Sequence, residues 1–345
     1  MKKVIQILLL ILILTGIAAA WFLVGSGTGF AGQKEYLYIR SDAANKEAVM
    51  DSVRQNKIVS STGAFDFIAA RLGYWDAIKP GRYEIKKGTG LLTIVRTLRN
   101  GKQTPVNLTI TKLRTKEDFA RLTGSKFEFD SLQMISLLNN ADSLKPFAAD
   151  TAGAMWRVIP DTYSFLWTTG PAAIYKRLAA ESEKFWTPDR EQKAEAIGLS
   201  PKEAYILASI IEEETTNHKE KDTIASVYLN RLRKGMPLQA DPTLKFAARN
   251  FALKRIAGPI LHIASPYNTY RNKGLPPGPI CTPSRITLEA VLNPAQTPFY
   301  YFVANSRLNG HLFSTTFEEH LQKARGYWGE DKRRAEADSA GRKQS

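Results

Sequence analysis

Three consecutive glutamates follow an apolar run and could do acid–base chemistry. Residues 204–211 read AYILASII, and Glu212, Glu213 and Glu214 come directly after them. A helix that is apolar around its whole circumference is buried, so its last turn can hold a carboxylate in apolar surroundings. The alternative is a solvated helix end, where negative charge is mildly destabilising because it meets the negative end of the helix dipole.

Helix geometry separates the three carboxylates. Successive residues turn by about 100°, so the three side chains point in different directions. Glu212 continues the row of Ala208 and Ser209, whose small side chains leave room for a ligand over that face. Geometry therefore makes Glu212 the candidate for a reactive carboxylate, and we expect the other two glutamates of the triplet to be solvated; a triplet that is solvated as a whole stays the alternative on pattern alone.

Two loops farther along the chain have a composition that suits a sugar-binding wall. Tyrosine faces pack on the C–H surface of a sugar ring, while amides and carboxylates bond its hydroxyl groups. Asp, Asn, Pro and Gly also build turns without any ligand, and Asp241 could instead orient the junction between a helix and its loop. The candidate substrate-binding residues are Gln239, Asp241, Thr243, Tyr267, Asn268, Thr269 and Tyr270.

Metal and cofactor chemistry have no support in the sequence. Cys281 is the single cysteine, which rules out an intramolecular disulfide and a thiolate zinc site. The four histidines are scattered, without an H-E-x-x-H motif. Neither a phosphate loop nor a G-x-S-x-G nucleophile elbow occurs. We expect no metal site and no cofactor.

The length and the net charge of the chain limit the classes of protein to which it can belong. The chain has 345 residues, enough for one large domain or two ordinary ones, and 43% of them are hydrophobic. Its formal net charge is +15. A basic excess of this size favours a polyanionic partner, which can be nucleic acid, acidic lipid or an acidic polymer.

The N-terminal segment indicates which of these partners is accessible to the protein. Lys2 and Lys3 precede an uncharged run from Val4 to Val24, about the length that crosses a bilayer as a helix. Lysines favour the cytoplasmic side, so we expect a single-pass protein of the cytoplasmic membrane whose body lies outside the cytoplasm. A cleaved signal peptide is the alternative. Export in either form argues against nucleic acid and favours an acidic polymer.

Hydrophobic spacing predicts an α+β fold with a single N-terminal transmembrane helix, a small module and a larger domain. Short strands such as residues 36–39 alternate with amphipathic helices in the module. The larger domain has helices near 172–185, 201–214 and 219–233 and a loop-rich remainder from residue 237. The predicted segments are the anchor 1–24, a flexible linker 25–33, the module 34–110, the larger domain 111–328 and a disordered tail 329–345.

Several separate stretches occur in one order that resembles a known family. They are IPDTYSF from Ile159, ASIIEEET from Ala208, LNRLRKGMPLQADPTL from Leu229, SPYNTY from Ser265, GLPPGPI from Gly274, NPAQTPFYYFV from Asn293 and GHLFSTTFEEH from Gly310. Together they resemble the endolytic murein transglycosylases, also called MltG or YceG-like proteins. The resemblance covers most of the chain and implies an anchor, a LysM-like module and a mixed helical and strand catalytic domain.

The resemblance implies one catalytic glutamate, the first of EEET, which is Glu212. In related sequences the next position is often Lys, whereas this chain has Glu213. A protonated Glu212 would give its proton to the glycosidic oxygen between MurNAc and GlcNAc of peptidoglycan. It would then take the proton of the MurNAc C6 hydroxyl, which closes a 1,6-anhydro ring without water. For this, desolvation must raise the pKa of Glu212 above the usual value of about 4.3.

The implied partners are the anionic glycan strands, which fit the basic body, the membrane and peptidoglycan synthases. Two alternatives stay open. The first is a hydrolytic muramidase that adds a second carboxylate such as Asp241, and the second is a non-catalytic scaffold that binds glycan and recruits synthases. A nucleic-acid binder fits the charge alone and conflicts with export.

Overall fold

A computed structural model describes residues 6, 7, 9, 27–253, 255–305 and 310–326. The chain divides into two compact units. The first unit comprises residues 1–108, 123–130 and 163–171, and the second comprises residues 109–122, 131–162 and 172–345. Two short segments from the middle of the chain therefore belong to the first unit. The predicted division into a LysM-like module and a catalytic domain at residue 110 stays a prediction, and the predicted tail 329–345 lies outside the described residues.

The first unit is a small α+β assembly. Its main elements are β1 (Lys34–Ile39), α1 (Lys46–Gln55), α2 (Thr62–Arg71), β2 (Gly81–Lys86) and α3 (Leu91–Asn100). Strands β1 and β2 pair antiparallel, with Leu37 opposite Tyr83. Both side chains are fully buried in one apolar core together with Phe65 and Ile94. Helix α3 ends at Gly101, whose φ of 66° is left-handed and suits glycine.

Part of the expected flexible linker is bound to this unit. The backbone N–H of Gly27 donates to Thr89 O at 3.0 Å, and Thr28 forms an antiparallel bridge with Val59. A Cβ on Gly29 would lie 2.6 Å from the carbonyl oxygen of Val59. Glycine at this position therefore permits a close approach of two backbones, which composition alone does not distinguish from flexibility.

The second unit holds most of the helices. Strands β3 (Val106–Thr109) and β4 (Thr162–Phe165) form a two-stranded sheet, and most of their residues belong to the first unit. The remaining elements are α4 (Lys116–Gly124), α5 (Ser131–Asn139), α6 (Ala141–Leu144), α7 (Pro171–Phe185), α8 (Pro188–Ala196), α9 (Pro201–Glu214), α10 (Lys221–Arg233), α11 (Asp241–Ala247), α12 (Arg285–Leu292), β5 (Tyr301–Ala304) and β6 (His311–Ser314). Residues 317–326 are also helical.

Helix α9 is the central helix of this unit. Ser200 caps it through a reciprocal pair of hydrogen bonds with Glu203, and Pro201 opens its first turn. Every residue from Ala204 to Ile211 is buried, which confirms the prediction of a buried helix. Helix α9 packs against α10, α11 and α12, and β5 and β6 form an antiparallel pair.

The structure contradicts the expectation of a transmembrane helix. Among the residues described, no helix is both long and apolar enough to cross a membrane. The longest of them, α7, has 15 residues, whereas about 20 are needed to span a bilayer. Of the run from Val4 to Val24, the structure describes residues 6, 7 and 9 alone. On this finding the predicted fold class with a transmembrane helix, and the predicted single-pass location in the cytoplasmic membrane, are wrong, and the fold is mixed α+β.

Candidate active site

The last turn of α9 places its three glutamates in three different environments. All three side chains are partly buried, so the predicted solvated positions of Glu213 and Glu214 are wrong. Each carboxylate has its own hydrogen-bond partners, which come from other elements of the second unit. The partners therefore decide which carboxylate can exchange a proton.

Glu212 belongs to a buried ion pair. Its Oε2 accepts hydrogen bonds from Lys221 Nζ at 2.8 Å, from Ser284 Oγ at 3.0 Å and from Thr287 Oγ1. The Lys221 side chain is 1% exposed and belongs to α10. Burial raises the pKa of Glu212, but the hydrogen bonds and the charge of Lys221 outweigh it and hold the pKa below its usual value. Glu212 is therefore a carboxylate at neutral pH, the opposite of what its predicted role requires.

Glu213 is held by two cations. Arg114 donates to both of its carboxylate oxygens at 3.0 Å, and Lys112 Nζ lies 3.3 Å from Oε1. A bidentate pairing with a guanidinium fixes both the charge and the orientation of a carboxylate. Glu213 is therefore held in one orientation by its two basic partners.

Glu214 has a neutral partner instead. The hydroxyl group of Tyr228 on α10 donates to Glu214 Oε1 at 2.5 Å. In the part of the chain that the structure describes, no cation lies within ion-pair distance of this carboxylate. Burial raises the pKa of Glu214 to about 7, and the negative charge of Asp241 adds to this rise. The hydrogen bond from Tyr228 lowers the pKa but does not cancel the effect of burial. Glu214 is thus poised to give and take a proton near neutral pH.

Glu214 also lies where two cavities meet. One cavity has a volume of about 340 Å³ and the other about 380 Å³. Glu214, Ala304 and His311 line both of them. We call this pair of cavities the glutamate groove. Glu212 and Glu213 also line the groove, on the side of the 380 Å³ cavity.

Three predicted substrate-binding residues line the 340 Å³ cavity with Glu214. They are Gln239, Asp241 and Tyr270. Tyr270 Oη donates to Asp241 Oδ1 at 2.5 Å, and Arg231 Nη1 donates to Gln239 Oε1 at 3.3 Å. Gln239 has a φ of 53°, a left-handed conformation that costs energy in a residue other than glycine and is found at functional sites. Two carboxyl groups, an amide and two phenols thus surround a space large enough for sugar units; they belong to Glu214, Asp241, Gln239, Tyr228 and Tyr270.

The other four predicted residues lie elsewhere. Thr243 and Thr269 are buried and joined by a 2.8 Å hydrogen bond between their hydroxyl groups. Asn268 is also buried, and its amide donates to Leu261 O and Ile263 O. Their hydrogen bonds hold the backbone next to Gln239 and Tyr270, because Thr243 and Thr269 both bond Ala240 and Asn268 accepts from the N–H of Tyr270. Tyr267 lines a different cavity.

Sequence reasoning missed Glu214, Tyr228, Arg231 and His311, all of which line the groove. One signal could have identified Glu214. The residues three and four positions before it are Ile211 and Ile210, both fully buried, so Glu214 continues an apolar row. His311 is anchored by Glu220, whose carboxylate lies 3.0 Å from His311 Nδ1. Within the described ranges, no group of three or more His, Cys, Asp or Glu residues is placed to hold a metal ion.

Comparisons with known proteins show which family this chain resembles. The YceG-like family model matches residues 37–326. The endolytic murein transglycosylase of Bacillus subtilis is 30% identical over 298 residues, which cover 81% of each chain. The protein of that name from Streptococcus pneumoniae serotype 2 is 25% identical over 321 residues, which are 84% of this chain and 58% of the relative.

A solved structure is also similar. The crystal structure of a yceG-like protein from Listeria monocytogenes is 25% identical, has a TM-score of 0.56, and covers 85% of this chain and 99% of its own. The family match spans far more than half of the chain. The protein therefore belongs to the YceG-like family.

Proposed function

We propose that this protein is a peptidoglycan lytic transglycosylase that cleaves glycan strands between MurNAc and GlcNAc and leaves 1,6-anhydroMurNAc ends. Membership of the YceG-like family and the similarity to proteins named endolytic murein transglycosylases support the reaction class. Cleavage within strands would limit their length. One observation carries the proposal: a carboxylate with a pKa of about 7, Glu214, lies where the two cavities of the groove meet.

The contacts favour Glu214 over Glu212 as the acid. A general acid must hold its proton at the working pH while remaining able to release it. The pKa of Glu214 is raised to about 7 by burial, whereas Lys221 helps to keep the pKa of Glu212 below its usual value. We assign Glu212 a positioning role, because its ion pair with Lys221 connects the last turn of α9 to α10 and its hydrogen bond from Thr287 connects the same turn to α12.

In the first step, protonated Glu214 donates its proton to the glycosidic oxygen as the bond to C1 of MurNAc breaks. The GlcNAc hydroxyl group leaves, and positive charge develops at C1 and the ring oxygen. The Glu214 carboxylate that remains can stabilise this charge. Gln239, Asp241 and Tyr270, on the wall of the same cavity, are placed to bond sugar hydroxyl groups.

In the second step, the Glu214 carboxylate takes the proton of the C6 hydroxyl of the same MurNAc. The C6 oxygen attacks C1 and closes the 1,6-anhydro ring, which returns Glu214 to its protonated form. No water is consumed, so no second carboxylate is needed to activate one. The attack also gains from proximity, because nucleophile and electrophile belong to the same sugar.

Hydrolysis is the second candidate, because Asp241 lines the same cavity as Glu214. A muramidase would use such a second carboxylate to activate water or to attack C1. Mass spectrometry of strands digested by the purified protein distinguishes the two reactions, with Glu214→Gln as the inactive control. We expect anhydro ends from the wild type. Reducing ends would establish the muramidase, and strands that are bound but not cut would establish a scaffold.

A further inference from the structure

A third cavity of the second unit has no part in the mechanism above. Its volume is about 280 Å³. Tyr267, which we predicted to contact the substrate, lines this cavity and not the glutamate groove. The lining residues that matter here are Arg114, Lys116, Met155, Phe246, Arg249 and Tyr267. We call it the arginine cavity.

One wall of the arginine cavity is apolar and closely packed. The rings of Phe246 and Tyr267 lie 4.7 Å apart between centroids, and Met155 lines the same space. Gly278 lies directly behind Tyr267. A Cβ at this position would lie 2.1 Å from Ala152 O and 2.9 Å from Tyr267 Oη. Any larger residue would therefore displace the tyrosine or the backbone that shapes the cavity.

Cations dominate the charge of the cavity. Three cations and one carboxylate, Glu117, line it. Arg249 Nη1 donates to Glu117 Oε2 at 3.0 Å, and Arg114 donates to Glu213. A guanidinium has five N–H donors, so each of these ion pairs leaves donors for a ligand. Lys116 forms no ion pair with any residue that the structure describes.

Arg249 has a left-handed backbone conformation just after the end of α11. It follows α11 with a φ of 51°, in the left-handed region that costs energy in a residue with a side chain. Its N–H donates to Phe246 O at 3.0 Å, which holds the turn. The same turn places the guanidinium over the Phe246 ring, 5.6 Å from its centroid. Charge and aromatic surface are therefore presented together.

Among the residues that the structure describes, the ion pair between Arg114 and Glu213 connects this cavity to the glutamate groove. Arg114 lines the arginine cavity, and its partner Glu213 lines the groove. Glu213 immediately precedes Glu214 in α9. The two cavities are therefore adjacent, and we expect a branch of a substrate in the groove to reach the arginine cavity.

We propose that the arginine cavity binds the acidic peptide branch that the glycan carries on the lactyl group of MurNAc. This inference rests on the proposed function and extends it to a second part of the same substrate. The free carboxylates of the peptide pair with Arg249 and Lys116, and its small apolar side chains pack on Phe246, Tyr267 and Met155. The apolar wall favours this occupant over the sugar alone, because a MurNAc unit without its peptide has one lactyl carboxylate and no apolar side chain.

The test compares two substrates: glycan strands that carry their peptides, and strands from which an amidase has removed them. Arg249→Ala and Lys116→Ala are compared with Arg121→Ala, which removes a 75% exposed arginine outside the cavity. On peptide-bearing strands, the two cavity variants should lose about tenfold in kcat/KM, mainly through KM, as expected for the loss of a charged hydrogen bond. On bare strands all three should stay within about twofold of the wild type, because the peptide groups that Arg249 and Lys116 would bind are absent.

The controls distinguish loss of peptide binding from loss of folding and from absence of the proposed activity. Thermal unfolding of each variant is measured first, and Lys116→Ala carries the test if Arg249→Ala is unstable, because Lys116 has no ion pair among the described residues. Equal losses on both substrates, or no loss on either, would overturn the peptide assignment. A wild-type protein that cuts neither substrate would reject the proposed function itself.

Discussion

Glu212 and Glu214 lie two residues apart in the last turn of α9, yet their surroundings have opposite effects on the proton. Glu212 faces a buried ammonium group and two hydroxyl groups, from Lys221, Ser284 and Thr287. Glu214 faces one phenol, that of Tyr228. The pKa of the first carboxyl group lies below its usual value, and the pKa of the second is raised to about 7.

The comparison shows that burial alone does not make an acid. Both side chains are partly buried, and burial is the largest single influence on both pKa values. The cation Lys221 decides the outcome, because it stabilises the charged form of Glu212. Among the described residues, no cation lies within ion-pair distance of Glu214. Two titratable groups with divergent pKa values indicate a division of roles.

The largest expected effect is on catalysis. Glu214→Gln removes the transferable proton and should lower the rate of strand cleavage by about 10³-fold. Glu212→Gln, the matched control two residues away, should keep cleavage within about tenfold of wild type, because it changes a positioning contact. Both rates are measured at neutral pH on folded protein. A dead Glu212→Gln beside an active Glu214→Gln would reverse the assignment.

The second effect is on the pH profile. Since Glu214 must be protonated to act as an acid and its pKa is about 7, kcat/KM should fall about tenfold per pH unit above that value. Initial rates between pH 5 and 9 measure this, with circular dichroism at each pH to exclude unfolding. A rate that stays constant from pH 6 to 9 would mean that another group supplies the proton.

The third effect is on stability. Glu212→Gln leaves Lys221 buried without its counterion, which should cost about 3 kcal/mol at pH 7. The pKa of Glu212 is lowered in the folded protein, so its contribution is present above the unfolded pKa and is lost as the pH falls through the folded pKa. Urea unfolding at pH 7 and in acid should therefore show a difference that shrinks in acid.

A double variant sharpens this third prediction. Glu212→Gln with Lys221→Met removes both members of the pair and should be less destabilised than the sum of the two single changes. Strict additivity would show that the two residues do not stabilise each other.

The smallest effect concerns Tyr228. Its hydrogen bond favours the charged form of Glu214 and so lowers the pKa of that carboxyl group. Tyr228→Phe should therefore move the alkaline limb of the pH profile upward, by about one pH unit or less, with the acid still functional. A downward shift of the limb would mean that the phenol stabilises the protonated form.

The sequence predicted the scaffold better than the chemistry. Helix α9 was expected at residues 201–214 and lies there, because capping and apolar content are local properties. Helices α11 and α12 were missed because 7 and 8 residues are too few for the helical period to show against a loop-rich background.

The choice among the glutamates depended on contacts that are distant in the sequence. Within α9, Glu212 follows small residues and looks accessible, but Ser284 and Thr287 come from more than 70 positions farther along the chain. In the loops, composition identified the segments, yet Tyr267 and Tyr270 point into different cavities. Irregular backbone has no period from which side-chain direction could be predicted.

The most direct test is a titration of the glutamate carboxyl groups by NMR, with ¹³C-labelled glutamate in the wild type, Glu212→Gln and Glu214→Gln. Our account predicts one carboxyl signal that titrates near pH 7 and is missing from Glu214→Gln alone. If the signal assigned to Glu214 instead titrates below about pH 5, in the range of an ordinary glutamate, the carboxyl group carries no proton at neutral pH and the account is contradicted.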